Sequence, residues 1–101
     1  MIELNLFGVD FKIYKNGDVY RRNKCTLMFK KINTNRAVNG KVHVHISTGY
    51  RQHKLFHLNK IVYYCFNKDY DYTNHAILNE IEHIDGDVTN FAIDNLKKRF
   101  E

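Results

Sequence analysis

Between Lys41 and Ser47 the chain alternates without a break. Val42, Val44 and Ile46 fall on one side, and Lys41, His43, His45 and Ser47 on the other. A period of two marks a strand with one face buried, and this is the cleanest such run in the sequence. Val9, Phe11 and Ile13 alternate in the same way with Asp10, Lys12 and Tyr14. Asn16-Gly17 then offers a two-residue turn, because both positions accept positive φ, and Val19 resumes a return strand, so Val9 to Tyr20 reads as a hairpin. Lys24 to Lys31 is expected to be a further strand with Cys25, Leu27 and Phe29 on one face. Asn33-Thr34-Asn35-Arg36 and Asn39-Gly40 carry turn chemistry. Thr48-Gly49 turns the chain again, and Tyr50 to Leu58 returns as a strand with Phe56 and Leu58 inward. Asn59 is a good N-cap for a short helix over Lys60 to Phe66, where Ile61, Val62, Cys65 and Phe66 share a face. Asn67 to Asn79 is a polar, Tyr-rich connection, with a helical turn expected over Thr73 to Leu78.

A chain of 101 residues with 44% hydrophobic side chains and no proline suits one folded domain with a modest core. Within residues 1–101 the reading separates a basic β-hairpin module, 1–48, from a second part, 49–101. No apolar run is long enough to cross a bilayer, and Met1-Ile2-Glu3-Leu4 lacks a signal peptide's basic start. A soluble, intracellular (cytoplasmic) protein is expected. Cys25 and Cys65 are too far apart for a Cys-x-x-Cys metal motif and are expected to be free, buried thiols. Charge is unevenly spread. Residues 1–60 hold twelve of the sixteen Lys and Arg and three of the eleven acids, a local charge of +9, whereas residues 61–101 stand at −4. A basic half suits a phosphate backbone, and an acidic neighbour can join it there if a cation bridges the two. The alternative is charge scattered for solubility. Histidines two apart on a strand, His43 and His45, share a face; they are either structural or solvent-exposed, face DNA beside Lys41, or ligate a metal for which no third ligand is evident. There is no phosphate-binding Gly loop, nucleophile elbow, His-Glu-x-x-His helix or EF-hand spacing.

The chemistry-bearing stretch is Ile81-Glu82-His83-Ile84-Asp85-Gly86-Asp87-Val88-Thr89-Asn90, closed by Asp94-Asn95-Leu96. It sets an imidazole beside a carboxylate, then a tight Asp-Gly turn, then asparagines. Apolar Ile81, Ile84, Phe91, Ile93 and Leu96 flank the polar atoms, which suggests a short strand, an ordered loop and a second short strand. An amide such as Asn95 can hold the loop backbone, since it offers donors and an acceptor.

Glu-His-Ile-Asp-Gly-Asp-x-Thr-Asn followed by Asp-Asn-Leu resembles the core of HNH endonucleases, in the branch found in phage and intron homing endonucleases. The resemblance implies that His83 is the general base, Glu82 a ligand for a divalent metal, and Asn95 the amide that orients the loop. Phe11 to Arg22 resembles the small DNA-contacting module that often precedes such cores, and Gly49-Tyr50 to Cys65-Phe66-Asn67 resembles the strand-then-helix lead-in, in which the family usually has a His where Asn59 stands. The family's third motif residue, a His or Asn on a helix after the second strand, has no counterpart in the six residues that follow Asn95. The expected fold is therefore α+β: antiparallel β-hairpins with a short helix, ending in a partial ββα-metal core that lacks its last helix.

Hydrolysis of a phosphodiester needs a nucleophilic water and a cation to offset charge on the phosphoryl and leaving oxygens. An imidazole titrates near neutral pH and can take the proton from water. Glu82, with Asp85 or Asp87, offers the oxygen ligands that Mg²⁺ or Mn²⁺ prefers; the missing ligand would come from Asp85, Asp87, His75, the terminal carboxylate or a second chain. His75 reads as a surface histidine or an auxiliary ligand. Lys12, Lys15, Arg21, Arg22, Lys41, Arg51 and Lys54 are the candidate DNA contacts. Three functional readings follow: a metal-dependent DNA endonuclease or nickase; a catalytically degenerate relative that binds DNA or a protein partner, with a homo-oligomer possible; or a structural protein whose Asp85-Gly86 turn merely closes a hairpin.

Overall fold

The alternating runs of the first half pair with their chain neighbours. β1 (Ile2–Leu6), β2 (Val9–Ile13), β3 (Val19–Arg22) and β4 (Phe29–Lys31) form an antiparallel sheet in sequence order. β5 (His43–Gly49) and β6 (Gln52–His57) make a separate two-stranded ribbon that runs directly into α1 (Leu58–Phe66). After a 3-10 turn at Ile77–Asn79, β7 (Ile81–His83) pairs antiparallel with β8 (Leu96–Lys98), and a second 3-10 turn, Ile93–Asn95, precedes β8. The architecture is a small α+β fold of antiparallel hairpin sheets with one helix. This computed structural model describes residues 1–23, 25–34, 37, 41–49, 51–74 and 76–100; the expectations placed on Lys24, Asn35, Arg36, Asn39, Gly40, Tyr50, His75 and the terminal carboxylate of Glu101 lie outside them. No helix among the described residues is long and apolar enough to cross a membrane.

Period-two burial explains the sheet. Val9, Phe11 and Ile13 are buried while Asp10 and Lys12 are half-exposed, and Leu4, Leu6 and Val19 join them from the flanking strands. The ribbon contributes Val44, Ile46 and Phe56, and α1 contributes Leu58, Ile61, Val62 and Cys65. Tyr70, Ile81, Phe91 and Leu96 complete one continuous core. It therefore joins the sheet, the ribbon, the helix and the C-terminal hairpin. Burial pushes the Cys65 thiol up to about 11, which keeps it protonated.

Several elements depart from the sequence reading. β1 was not anticipated; its side chains alternate only weakly, with Leu4 and Leu6 buried. The β2–β3 connection is five residues rather than two, since Ile13 pairs with Val19. Asn16 Oδ1 accepts the Asp18 N–H at 3.0 Å, which widens the turn. Residues 25–28 form a turn, not a strand. Asn23 Oδ1 accepts the N–H groups of Cys25 and Thr26 at 2.7 and 3.1 Å, so the side chain supplies bonds that a ladder otherwise would. Cys25 is accordingly exposed, and Leu27 is 61% exposed at φ 61°. The helix begins at Leu58, one residue before the expected cap. His57 is the extended residue before it, and the Leu58 N–H donates to Val42 O at 2.9 Å, continuing the ribbon's pairing. Asn59 thus lies inside the first turn. The turn expected over Thr73 to Leu78 is confined to Ile77–Asn79.

Lys60 is the least expected core residue. It is 2% exposed, its Nζ donates to Asn74 O at 3.0 Å, and burial pushes its pKa down against a raising field from Glu80. The bond ties the polar connection after α1 back onto the helix.

The sheet meets the C-terminal hairpin at Gly17. A methyl group there would stand 2.6 Å from Ala92 N and 2.7 Å from Phe91 C, and φ is +98°. Next to it, Lys15 O accepts the Ile93 N–H at 2.9 Å. Gly86 also has positive φ, +75°, but open space around it. Gly17→Ala should therefore lower unfolding free energy by about 2 kcal/mol or more, through strain and a backbone clash together. Gly86→Ala should cost only about 1 kcal/mol, from the left-handed φ alone. Urea denaturation of the two variants checks the order.

Candidate active site

The β7–β8 ladder is three pairs long: Ile81 with Lys98, Glu82 with Lys97 and His83 with Leu96. Alternation sends Glu82 and His83 to opposite faces. Glu82 pairs with Lys97 across the strands, Oε1 to Nζ 3.1 Å, on the more exposed side. His83 turns inward over the edge of Phe91, with ring centroids 5.2 Å apart and planes at 82°.

Residues 84–95 form the loop between the strands, and Asp85 is its hub. Asp85 Oδ1 accepts the Asp87 N–H at 2.8 Å and Asn95 Nδ2 at 2.9 Å, and Oδ2 accepts Asn90 Nδ2 at 2.9 Å. Asn95 closes the other way, its Oδ1 accepting the Asp85 N–H at 3.0 Å and its Nδ2 also donating to Asn90 O at 3.1 Å. These donors, Asn90 first, then Asn95 and the Asp87 backbone, hold the Asp85 carboxyl below its usual range. Asp87 repeats the pattern one step on, with Oδ1 accepting Thr89 N–H at 2.9 Å and Thr89 Oγ1 at 2.6 Å, and its carboxyl is likewise lowered. Ile84 N–H to Asn95 O and Gly86 N–H to His83 O, at 2.8 and 2.9 Å, complete the loop.

That loop fixes the imidazole. His83 Nδ1 lies 2.9 Å from Asn90 O. A carbonyl only accepts, so Nδ1 carries a proton, and in the neutral ring Nε2 then presents a lone pair. The group facing Nε2 is Asn59 Nδ2, a donor, at 3.4 Å; the same amide reaches Ile81 O at 3.3 Å. Asn59 Oδ1 is buried with no hydrogen-bond partner among the described residues. Sequence reasoning assigned Asn59 to a cap and missed this contact. The available signal was its place in the segment leading into the Glu-His pair.

The expected metal ligands do not converge. Asp85 spends both oxygens on the loop, Asp87 serves Thr89, and Glu82 faces Lys97 on the other side of the strand. Among the described residues no group of three or more His, Cys, Asp or Glu is placed to hold an ion. His75 lies outside the described residues.

The candidate DNA contacts occupy several elements. Lys12 stands over the Phe29 ring at 4.3 Å on the outer face of the sheet, and Arg22 beside it pairs with Asp10 at 3.5 Å. Arg21 points to the inner face and donates to His45 O at 2.6 Å. Lys41 pairs with Glu80 at 3.5 Å. Lys15, Arg51 and Lys54 are exposed, Arg51 at φ 57° in the ribbon's turn. Sequence reasoning did not pick out Lys30 and Lys31. With Arg21 and Arg22 they line a cleft of about 360 Å³ together with Val9, Asn23 and Ile32, and two of the four cations are paired, Arg22 with Asp10 and Lys31 with Asp18. Their signal was the charge of an edge strand next to two arginines.

Compared with protein-family models, with curated proteins and with solved structures, the chain finds no match.

Because the Asp85 carboxyl is lowered in the folded chain, its bonds stabilise fully above the ordinary carboxylate range. They are lost as pH falls through the lowered value. Asp85→Ala should reduce Tm at neutral pH, and the gap to the parent chain should close as the pH is taken well below about 4. Thermal unfolding monitored by circular dichroism across pH 2–7 measures it.

Proposed function

We propose that the chain is a DNA endonuclease or nickase of the HNH kind, with His83 as the base that activates water. The observation that carries this reading is the 2.9 Å bond from Nδ1 to Asn90 O, which in the neutral ring selects the tautomer with a proton-accepting Nε2. The Asn59 contact to that nitrogen is long, 3.4 Å, so a water can replace it at little cost. In the step so supported, water oxygen bonds to phosphorus as its proton passes to Nε2, and the bond from phosphorus to the leaving oxygen breaks. The resulting imidazolium keeps its Nδ1–H bond to Asn90, and Asp85 and Asp87 lie within its field. Mg²⁺ or Mn²⁺, when bound, would offset charge on the phosphoryl oxygens. Glu82 and Asp87 are turned to different partners, Lys97 and Thr89, so the described carboxylates do not fit a shared ion. Lys12, Lys15, Lys41, Arg51 and Lys54, and the cleft lined by Arg21, Arg22, Lys30 and Lys31, would meet backbone phosphates.

A second reading is a catalytically degenerate relative that binds DNA, or a protein, without cutting. It is favoured by Asp85, whose oxygens are taken by the loop, and by the Glu82–Lys97 pair.

Supercoiled plasmid with Mg²⁺ or Mn²⁺ separates the two. Nicking that drops by about 10²–10⁴-fold in His83→Ala supports the nuclease. Activity that survives this substitution removes His83 as the base. DNA binding that weakens steeply with salt, without cleavage, selects the second reading.

A further inference from the structure

A second collection of imidazoles lies away from the His83 loop. The β5–β6 register sets His43 opposite His57, His45 opposite Leu55 and Ser47 opposite His53. Four histidines thus share one face of the ribbon, while Val44, Ile46 and Phe56 are buried on the other. His43 and His57 are already in contact, with ring centroids 5.1 Å apart and planes at 73°.

That separation is the one an edge-to-face pair of packed rings adopts, and it also lies within reach of one shared ion. Two imidazoles bound to one tetrahedral Zn²⁺ through nitrogens at about 2.0–2.1 Å have ring centres about 5 Å apart. We propose that His43 and His57 form a bidentate site for a borderline divalent transition ion such as Zn²⁺, Ni²⁺ or Cu²⁺. Each ring needs to give the ion one nitrogen only; the other stays available to a neighbour. The platform is stiff. His57 is the residue before α1, and the next residue, Leu58, is fully buried and donates to Val42 O at 2.9 Å, next to His43. The backbone that carries both rings is therefore held in place. The ion's remaining positions go to water or to donors from outside the chain, since no third ligand converges among the described residues. Imidazole selects borderline ions over Mg²⁺, which prefers oxygen. The site is therefore independent of the nuclease reading and stands whether or not DNA is cut.

Calorimetric titration of the untagged full chain with Zn²⁺, and Cu²⁺ broadening of imidazole NMR signals, tests this. One ion per chain is expected, with the His43 and His57 resonances broadened first. His43→Gln and His57→Gln should each weaken affinity by about tenfold or more, a size that even outer-sphere changes reach, while His83→Ala and Glu82→Ala leave it unchanged. Circular dichroism shows whether each variant is folded; if one is not, the broadening order in the parent chain decides. Absence of uptake, affinity unmoved by both glutamine variants, or broadening centred on other histidines overturns the proposal.

Discussion

A ladder of three residue pairs is too short to hold a loop of twelve residues, and a lone two-stranded hairpin is marginal in water. The Asp85 carboxylate supplies what the ladder lacks. It gathers the Asp87 backbone and the Asn90 and Asn95 side chains around two oxygens, and Asn95 returns a bond to the Asp85 N–H. Asn90 is held by that hub, and its carbonyl in turn fixes the His83 ring. The tautomer of the imidazole is thus set by the carboxylate through one intervening residue. The same residue type that chemistry expects at a metal is occupied as an architectural centre.

The rest of the fold keeps that loop in place. The N-terminal sheet abuts it with bare backbone at Gly17 and a carbonyl at Lys15, and α1 reaches it from the other side with the Asn59 amide. Phe91 and Leu96 anchor it in the common core. Lys60 and Asn74 fasten the connection between helix and hairpin. His83 is therefore contacted or positioned by both halves of the chain, including the part that sequence reading set apart as a basic module.

Where burial alone decides geometry, the sequence was legible. The alternation of residues 41–47 and 9–13 placed Val42, Val44, Ile46, Val9, Phe11 and Ile13 inside, where they lie. The Asp-Gly turn and the two short strands around it were readable for a related reason: apolar residues flank a polar loop on both sides. Side-chain competition for the backbone was not readable. Asn23 and Asn16 redirect two turns by accepting N–H groups, and nothing in hydrophobic period reports which asparagine will do so. Asn59 was misjudged because cap propensity is local, whereas β5 hands its pairing straight to the helix through Leu58 and Val42. Lys60 ran against polarity, since its buried amine depends on a carbonyl fourteen residues away. For the candidate site, a motif lists residue types. It does not reveal that Glu82 and His83 diverge, or that Asp85 is fully engaged.

The contact at Gly17 has a wider bearing. Because bare backbone meets bare backbone there, the five-residue turn acts as a spacer of fixed thickness between the sheet and the imidazole loop. At Gly86, by contrast, only the backbone angle is demanding and the space is open. At position 17, any side chain would meet the backbone of Phe91 and Ala92, so the seat of the His83 loop is guarded by an atom that is missing.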